Sequence, residues 1–197
     1  YKVHMQYELL KGVPVSARVT SANVSEKKIF SEQIDSNHLY VMDRGYLDFE
    51  RLFVFTLCSA FFVIRTKRNV LLQRRYSRPV DKSTGLRSDQ TVILTTIESA
   101  KSYPDALRRI SFIDPKTHKR LTFLTNNFSL PALTIAQIYK SRWQVELFFK
   151  WIKQHLRIKA FYGTSENAVK TQIWIAVSVY VLVAIVRKRL GLDATLY

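Results

Sequence analysis

The chain has 197 residues, of which 47% are hydrophobic and 23% charged, as expected for a globular protein with a substantial core. Lysine and arginine number 31 against 15 aspartates and glutamates, which gives a formal net charge of +16 at pH 7. A surplus this large indicates a polyanionic partner, most simply nucleic acid. The length suits one domain with an insertion, or at most two small domains.

Several classes of site are excluded by the residue inventory. Cys58 is the only cysteine, so neither an internal disulfide nor a cysteine metal site can form. The histidines lack HExxH-type spacing, and the scattered glycines form neither a P-loop nor a GxGxxG motif, which disfavours ATP hydrolysis and dinucleotide binding. The N-terminus lacks the pattern of a signal peptide and an initiating methionine, and its opening within a predicted strand indicates a fragment.

The first segments predict a β-hairpin and then a short helix. Residues 1–9 and 13–20 are rich in β-branched and aromatic residues, and the turn signal Lys11-Gly12 separates them. Residues 25–34 follow as a short amphipathic helix with Ser25 as its expected N-cap.

The next apolar run, residues 38–42, ends abruptly at Asp43. A buried strand of an α/β fold can deliver a carboxylate to the C-terminal edge of the sheet in this way, where ligands bind. Asp43 can equally cap a helix that starts near Leu47 or pair with Arg44. Both interpretations remain open on these residues alone.

The middle of the chain predicts a helix at residues 48–58, a strand at 61–65 and then a β-rich insertion at about 66–117. Basic clusters and turn signals alternate with strand-like pieces in this insertion. Its arginines are expected to form a solvated or phosphate-contacting surface. A strand at 120–125 follows.

Residues 134–157 predict one long helix, with Thr134 as N-cap and no glycine or proline inside. Its buried stripe is expected to comprise Ile138, Val145, Phe148, Ile152 and Leu156. A last helix at about 166–190 is apolar nearly all round, which predicts complete burial. Its apolar run from 173 to 186 is 14 residues, against about 20 for a membrane span, so a core helix is the favoured interpretation.

One polar face of the long helix carries a distinctive set of side chains. At about 100° per residue, the phenol of Tyr139, the cations Arg142 and Lys153 and the carboxylate of Glu146 fall within an arc of about 60°. They can form a solvated face in which Glu146 pairs with Arg142 or Lys150. They can also form a metal-binding carboxylate whose neighbours hold a phosphate backbone.

The spacing Tyr139-x2-Arg142-x3-Glu146-x6-Lys153 resembles the signature of the bacterial insertion-sequence transposases that carry an Asp-Asp-Glu triad, in the subgroup related to insertion sequence 4 and named for its Tyr-Arg-Glu-Lys motif. Three further segments resemble motifs of the same family. They are Lys2-Val-His4, Gly12-Val-Pro14 and Asp43-Arg-Gly-Tyr46.

The resemblance implies an α/β fold of the ribonuclease-H-like (integrase-like) class, a mixed sheet flanked by helices that here lacks its first strand. Residues 1–197 would be one catalytic-domain fragment, with the β-rich insertion between the second and third acids. The family's first catalytic aspartate lies upstream of the Lys-x-His motif, so no residue here takes that role, and the chain as given is expected to be inactive. Glu8, an acid on a neighbouring strand, is not assigned to it.

The resemblance also implies a chemistry. Asp43 would bridge two Mg²⁺ ions, with Mn²⁺ as a possible substitute, and Glu146 would hold one of them. Two such ions activate a nucleophile and stabilise the leaving oxygen of a phosphodiester. Tyr139, Arg142 and Lys153 would grip DNA phosphates near the cut. The interpretation requires Asp43 and Glu146 to converge on the metals.

The implied partners are double-stranded DNA, as transposon ends and target, and further copies of the chain on that DNA. No membrane and no nucleotide cofactor are expected, and the location would be the bacterial cytoplasm. Two alternatives stay open. One is a DNA-binding remnant without catalysis, and the other is a ribonuclease or structure-specific nuclease on the same fold.

Overall fold

The computed structural model describes residues 2–20, 34–66, 69–155, 163 and 165–192. The predicted helix at 25–34 therefore lies outside the described residues, apart from Ile34. The chain divides into two compact units, which are described separately. The first combines Tyr1–Val24 with Ser141–Tyr197, and the second is Ser25–Lys140.

The first unit begins with the predicted hairpin. Strands β1 (Lys2–Glu8) and β2 (Val13–Thr20) pair antiparallel, with a register shift between Gln6 and Tyr7. The turn needs a left-handed residue, which Gly12 supplies at φ +68° without a Cβ penalty. The Tyr7 hydroxyl donates to the Gly12 carbonyl at 2.6 Å and fixes the turn to its own strand.

Two helices pack on this hairpin, α4 (Trp143–His155) and α5 (Glu166–Arg189). The core centres on Tyr180, whose ring lies 4.6 Å from that of Phe148 and 5.2 Å from that of Trp151, both edge-on. Val3, Met5, Tyr7 and Val19 of the hairpin complete the cluster. Apolar contact between one strand pair and two helices therefore holds this unit together.

The prediction that α5 is buried all round is wrong. Its buried residues are Val169, Ile173, Ala176, Val177 and Tyr180, which form a single stripe. Trp174, Ile175 and Leu182 are 48%, 58% and 60% exposed. The hairpin and α4 cover one side of the helix only. By length and composition, α5 is also long and apolar enough to cross a membrane.

Both ends of α5 are capped. The Ser165 hydroxyl accepts from the Ala168 N–H at 3.2 Å as N-cap. At the other end Gly191 takes φ +62°, the left-handed conformation with which many helices terminate.

The second unit is built on a six-stranded mixed sheet in the order β3-β4-β8-β7-β6-β5. The bounds of its strands are β3 Leu39–Met42, β4 Phe61–Arg65, β5 Leu72–Arg78, β6 Leu86–Leu94, β7 Leu107–Ile113 and β8 Arg120–Thr125. Strands β3 and β4 are parallel, and every other neighbouring pair is antiparallel. The predicted strands at 61–65 and 120–125 are confirmed at both ends.

Strands β5, β6 and β7 fall within the range predicted as a β-rich insertion. Strand β7 pairs with β8 along its whole length, from Arg108 opposite Thr125 to Ile113 opposite Arg120. The strands of this region therefore extend the same sheet that carries β3 and β4. Short 3₁₀ turns lie between β3 and the next helix, at Arg44–Tyr46, and between β5 and β6, at Lys82–Thr84.

Helices cover both faces of the sheet. On one face, α1 (Phe49–Leu57) and α2 (Ile97–Ser102) enclose a core that includes Phe62 and Ile64. On the other, α3 (Ala132–Ser141) packs against Val63. Successive residues of a strand point to opposite faces, so the apolar residues 61–64 of β4 contribute to both cores.

A buried ion pair anchors the segment that leads into α3. The Arg108 guanidinium donates to both carboxylate oxygens of Asp89, at 2.9 and 2.8 Å. It also donates to the carbonyls of Asn127 and Leu130, at 3.2 and 2.6 Å. The Asn127 side chain in turn accepts from the N–H groups of Ser129 and Leu130.

The predicted single helix over 134–157 is wrong, because α3 ends at Ser141 and α4 begins at Trp143. Tyr139 is buried in the core of the second unit and Phe148 in the core of the first. Arg142 lies between the two helices, next to the boundary of the two units at Lys140 and Ser141. Each helix therefore packs within its own unit.

The details predicted for the helix start and stripe also change. Thr134 lies inside α3, whose first turn is closed by the Ile135 N–H donating to the Pro131 carbonyl at 3.1 Å. Ile138 is only half-buried, while Ile135 and Ala136 are fully buried. Leu156 lies outside the described residues.

Candidate active site

Asp43 is the residue that follows β3, at the C-terminal end of a strand parallel to its neighbour. It is half-buried. Its Oδ1 accepts from the Gly45 N–H at 3.3 Å, so the residue also caps the 3₁₀ turn that follows. The helix after that turn is capped by Asp48 instead. Asp43 therefore ends the strand, as predicted, and caps only the 3₁₀ turn, so the predicted capping of the next helix by Asp43 is wrong.

Glu146 lies in the first turn of α4, with its side chain 42% exposed. The Arg142 guanidinium donates to its Oε1 at 2.6 Å, which confirms the predicted i,i+4 pair. The contact uses one carboxylate oxygen, and a carboxylate offers two oxygens and about four lone-pair directions. An ion pair at this distance does not remove the capacity of Glu146 to bind a cation through its other oxygen.

Lys153 is exposed on α4, two turns beyond Glu146 and on the same side of the helix. Lys150 is exposed between them. The part of the predicted polar face that lies on α4 is therefore exposed to solvent. It carries two lysines and one acid, Glu146. Such a face suits a phosphate backbone bound next to a metal-ligating carboxylate.

Tyr139 differs from its neighbours in the motif. It lies on α3 and is 6% exposed, and its ring centroid is 4.6 Å from that of Phe123 on β8. The aromatic ring thus belongs to the core under the sheet. Because α3 and α4 are separate helices, the predicted 60° arc does not exist as one face of one helix.

The predicted site residues are divided between the units. Asp43 and Tyr139 belong to the second unit, and Arg142, Glu146 and Lys153 to the first. The structure brings Arg142 into contact with Glu146. The convergence of Asp43 and Glu146 stays a prediction.

The donor set agrees in kind with a hard divalent cation, since Asp43 and Glu146 offer carboxylate oxygens. Within the described ranges, no three or more histidine, cysteine, aspartate or glutamate side chains cluster as a ready metal site. Two carboxylates are fewer than the three expected for a site with two ions. The two carboxylates are the type of ligand that Mg²⁺ prefers. A site with two ions requires one more acid than these two residues supply.

A groove of about 710 Å³ in the first unit was not predicted from the sequence. Gln144, two residues before Glu146, lies on its wall, and Tyr7 and Tyr180 place hydroxyl groups there 3.2 Å apart. Three cations, Lys11, Arg187 and Lys188, also line it. The sequence showed these residues as a turn and a helix end, so their proximity depends on the tertiary fold.

A second basic surface lies on strand β5 at the edge of the sheet. Arg74 and Arg75 are exposed there, and the Arg78 guanidinium lies 5.6 Å from the ring centroids of both Tyr76 and Phe128. The predicted basic character of this region is therefore displayed on the surface.

The comparisons with known proteins agree on one family. Residues 1–182 match the family model described as "Transposase DDE domain". The protein y4zB of Sinorhizobium fredii, described as a transposase, is 36% identical over 189 residues, which cover 93% of this chain and 52% of that protein. A protein of Geobacillus stearothermophilus described as the transposase of insertion sequence element IS5377 is 31% identical over 183 residues, 92% of this chain and 48% of its own length.

A third relative, from a Synechocystis strain and described as the transposase of insertion sequence element IS4SA, is 26% identical over 186 residues, 92% of this chain and 52% of its own length. The chain thus spans about half the length of the curated relatives it matches. With a family model that matches most of the chain and recognisable motifs in both units, this chain belongs to the family of the transposase DDE domain.

Proposed function

We propose that the chain is the greater part of the catalytic core of a DNA transposase, which cuts DNA at the ends of an insertion sequence and joins them to target DNA. The observation that carries the proposal is the family match over residues 1–182 together with the placement of its acids. Asp43 ends a parallel strand, and Glu146 stands in the exposed first turn of a helix.

Asp43 and Glu146 would hold Mg²⁺, or Mn²⁺ in its place. The metal supplies an activated nucleophile and neutralises the leaving oxygen. The chain itself supplies cations. Arg142 would orient Glu146 until the ion arrives and then turn to a phosphate, while Lys153 would hold the backbone two turns further along α4.

We infer that the first acid of the triad, which no residue here supplies, lies on a strand outside this chain and that the fold is of the ribonuclease-H-like class. Strand β3 is an edge strand of the described sheet, so it can accept a further strand through its unpaired side. We expect the protein to act in the cytoplasm on duplex DNA, with more than one copy of the protein bound to that DNA.

The test uses the full-length protein and a duplex that carries the element end. Glu146→Gln and Asp43→Asn should each reduce Mg²⁺-dependent nicking by at least about 10³-fold, because a ligand to the catalytic ions is lost. Glu98→Gln, an exposed acid in the first turn of another helix, is the matched control and should keep full activity. Full nicking by Glu146→Gln would end the assignment.

Convergence of the two acids has its own test. With added hydrogen peroxide, Fe²⁺ bound in place of Mg²⁺ is oxidised to Fe³⁺ and the peroxide is reduced to hydroxide and a hydroxyl radical, which cuts the protein backbone near the metal. Cuts near both Asp43 and Glu146, suppressed by excess Mg²⁺, are expected. Cuts near only one of them would contradict a shared ion pair.

A non-catalytic DNA-binding remnant is the second candidate, favoured by the lack of a three-acid cluster in the described residues. Such a protein would bind duplex DNA with steep salt dependence and would not cut it under any metal condition. Nicking by the full-length protein separates the two.

A further inference from the structure

The groove in the first unit has no part in the proposed cleavage of DNA. It lies between the turn of the hairpin, the first turns of α4 and the end of α5, and its volume is about 710 Å³. Pockets for drug-sized ligands measure about 300–1,000 Å³. Gln144 lies on its wall, about 160° around α4 from Glu146, which is not among the described residues that line the groove. The groove is therefore separate from the candidate metal ligand.

The charge of the groove is positive. Lys11, Arg187 and Lys188 line it, and none of its described lining residues is an acid. Lys11 contacts Glu8 at 3.0 Å, but its side chain is 67% exposed, and an exposed pair of this kind is weak enough to be exchanged for a ligand. Arg187 uses its Nε to donate to the Leu192 carbonyl at 3.0 Å, and its two Nη groups lie outside that bond. Because the cations belong to two segments, they suit a ligand with negative charge at two points.

Between these cations the wall of the groove is aliphatic. Ile185 and Leu192 line it and are 43% and 52% exposed. Val13, Leu147 and Ala184 complete the apolar wall. Burying such a surface is favourable only against another apolar group. The ligand is therefore expected to bring an apolar side chain as well as its negative charge.

Two hydroxyl groups in the groove show which kind of polar group they can bind. The Tyr7 hydroxyl donates its single proton to the Gly12 carbonyl at 2.6 Å. In its contact with the Tyr180 hydroxyl at 3.2 Å it must therefore accept, and Tyr180 must donate. The Tyr180 oxygen then has lone pairs to offer and no further proton. It can accept from an N–H group of a ligand, but it cannot donate to a phosphate.

We propose that this groove binds an acidic peptide segment of a partner protein. Carboxylates of the segment pair with Lys11 and with the two cations at the end of α5. An apolar side chain between them packs on the aliphatic wall, and a backbone N–H donates to the Tyr180 oxygen. The phosphate backbone of DNA supplies the negative charge but neither the apolar side chain nor the donor.

The test measures fluorescence anisotropy with the full-length protein and a fluorescein-labelled hexapeptide of alternating glutamate and leucine. Binding should saturate and should weaken as salt is added, since the attraction between the charges is screened. A peptide of glutamate and serine lacks the apolar side chains, and a peptide of lysine and leucine has the opposite charge. Each should bind at least about tenfold more weakly than the first peptide, because one of the two complementary features is lost.

Charge reversal in the groove should weaken binding of the glutamate–leucine peptide. Lys188→Glu should reduce its affinity at least about tenfold, because attraction becomes repulsion. Arg189→Glu is the matched control, since Arg189 is the exposed neighbour of Lys188 and is not among the described residues that line the groove. It changes the net charge equally and should alter the affinity by no more than about twofold.

A polar substitution tests the aliphatic wall. Ile185→Asn should also weaken the glutamate–leucine peptide, whereas Ile175→Asn, at an exposed position of the same helix outside the described lining, should not. Unchanged circular dichroism of each variant shows that any loss is one of binding.

The proposal does not depend on DNA cleavage, and loss of nicking leaves it untouched. A full-length protein without saturable peptide binding would overturn it, as would equal losses in Lys188→Glu and Arg189→Glu. Displacement of the peptide by duplex DNA, together with a parallel loss of DNA affinity in Lys188→Glu, would make the groove a DNA site and overturn the assignment to a peptide.

Discussion

The Nη2 of Arg142 lies 2.6 Å from the Oε1 of Glu146, with the two side chains 21% and 42% exposed. The cation and the acid of one motif are therefore in direct contact. The contact makes the two proposed roles, metal binding by Glu146 and phosphate binding by Arg142, separately testable.

Arg142→Gln should leave Mn²⁺ affinity unchanged or a few-fold tighter, since a competing cation is removed from Glu146. DNA nicking by the full-length protein should fall about 10- to 100-fold, the cost of one charged hydrogen bond to phosphate. Titration calorimetry and a nicking assay measure the two effects. Lys170→Gln breaks an i,i+4 pair of similar length, 2.7 Å to Glu166, and should change neither. Parallel loss of metal affinity and nicking would contradict separate roles.

Tyr139 should tolerate loss of its hydroxyl but not of its ring. The ring packs at 4.6 Å on Phe123 inside the core. Tyr139→Phe should change the free energy of unfolding by less than about 1.5 kcal/mol, whereas Tyr139→Ala should cost about 3–5 kcal/mol through the cavity it leaves. Urea unfolding measures both. If the phenol also grips phosphate, Tyr139→Phe will nick DNA more slowly while it remains fully folded. Equal destabilisation by both variants would show that the hydroxyl, rather than the ring, stabilises the core.

Loss of Arg108 should be among the most damaging single changes in the second unit. Arg108→Met leaves the Asp89 carboxylate buried without its main partner, at an expected cost of about 3–5 kcal/mol. Adding Asp89→Leu to Arg108→Met should recover most of that cost, because no buried charge remains. Denaturant midpoints measure the series, with the exposed Arg74→Met as a control expected within about 0.5 kcal/mol. No recovery in the double variant would contradict this account.

Lowering the pH should reduce the folding stability of the second unit, because the Asp114 carboxylate becomes protonated. The Lys140 ammonium, which donates to Asp114 Oδ1 at 2.7 Å, holds the pKa of that carboxyl below its usual 3.8. A folded-state pKa below the unfolded value stabilises the fold above pH 3.8, and the stabilisation is lost as pH falls through the folded value. Asp114→Asn should thus be less stable than the parent at pH 7, and the gap should close in stronger acid. The exposed Asp105→Asn should show no such gap. A gap that widens in acid would reverse the assigned sign.

Local signals were enough to locate most elements. Gly12 predicts the hairpin turn. The sequence also predicts both ends of β4 and β8, because turn residues lie next to these apolar runs. The strand-end position of Asp43 followed from the same pattern. These features depend on a few adjacent residues, and the structure changed none of them.

The sequence-based predictions that were wrong or missing concern residues whose environment is set by distant parts of the chain. The break at Arg142 has no glycine or proline to signal it, and it lies next to the boundary between the two units. The exposure of Leu182 depends on how little of α5 the hairpin can cover. The cations Lys11 and Lys188 line one groove although 177 positions separate them. A single sequence carries no direct record of such proximities.

The break at Arg142 also changes what the motif spacing measures. Tyr139 is fixed in one hydrophobic core, and Glu146 stands on a helix held by another. The six residues between them are the end of α3, the non-helical Arg142 and the start of α4. The spacing of the signature therefore counts positions on two helices and one residue between them, not positions along one face of a single helix. A substitution of Arg142 keeps that count, whereas an inserted residue changes it.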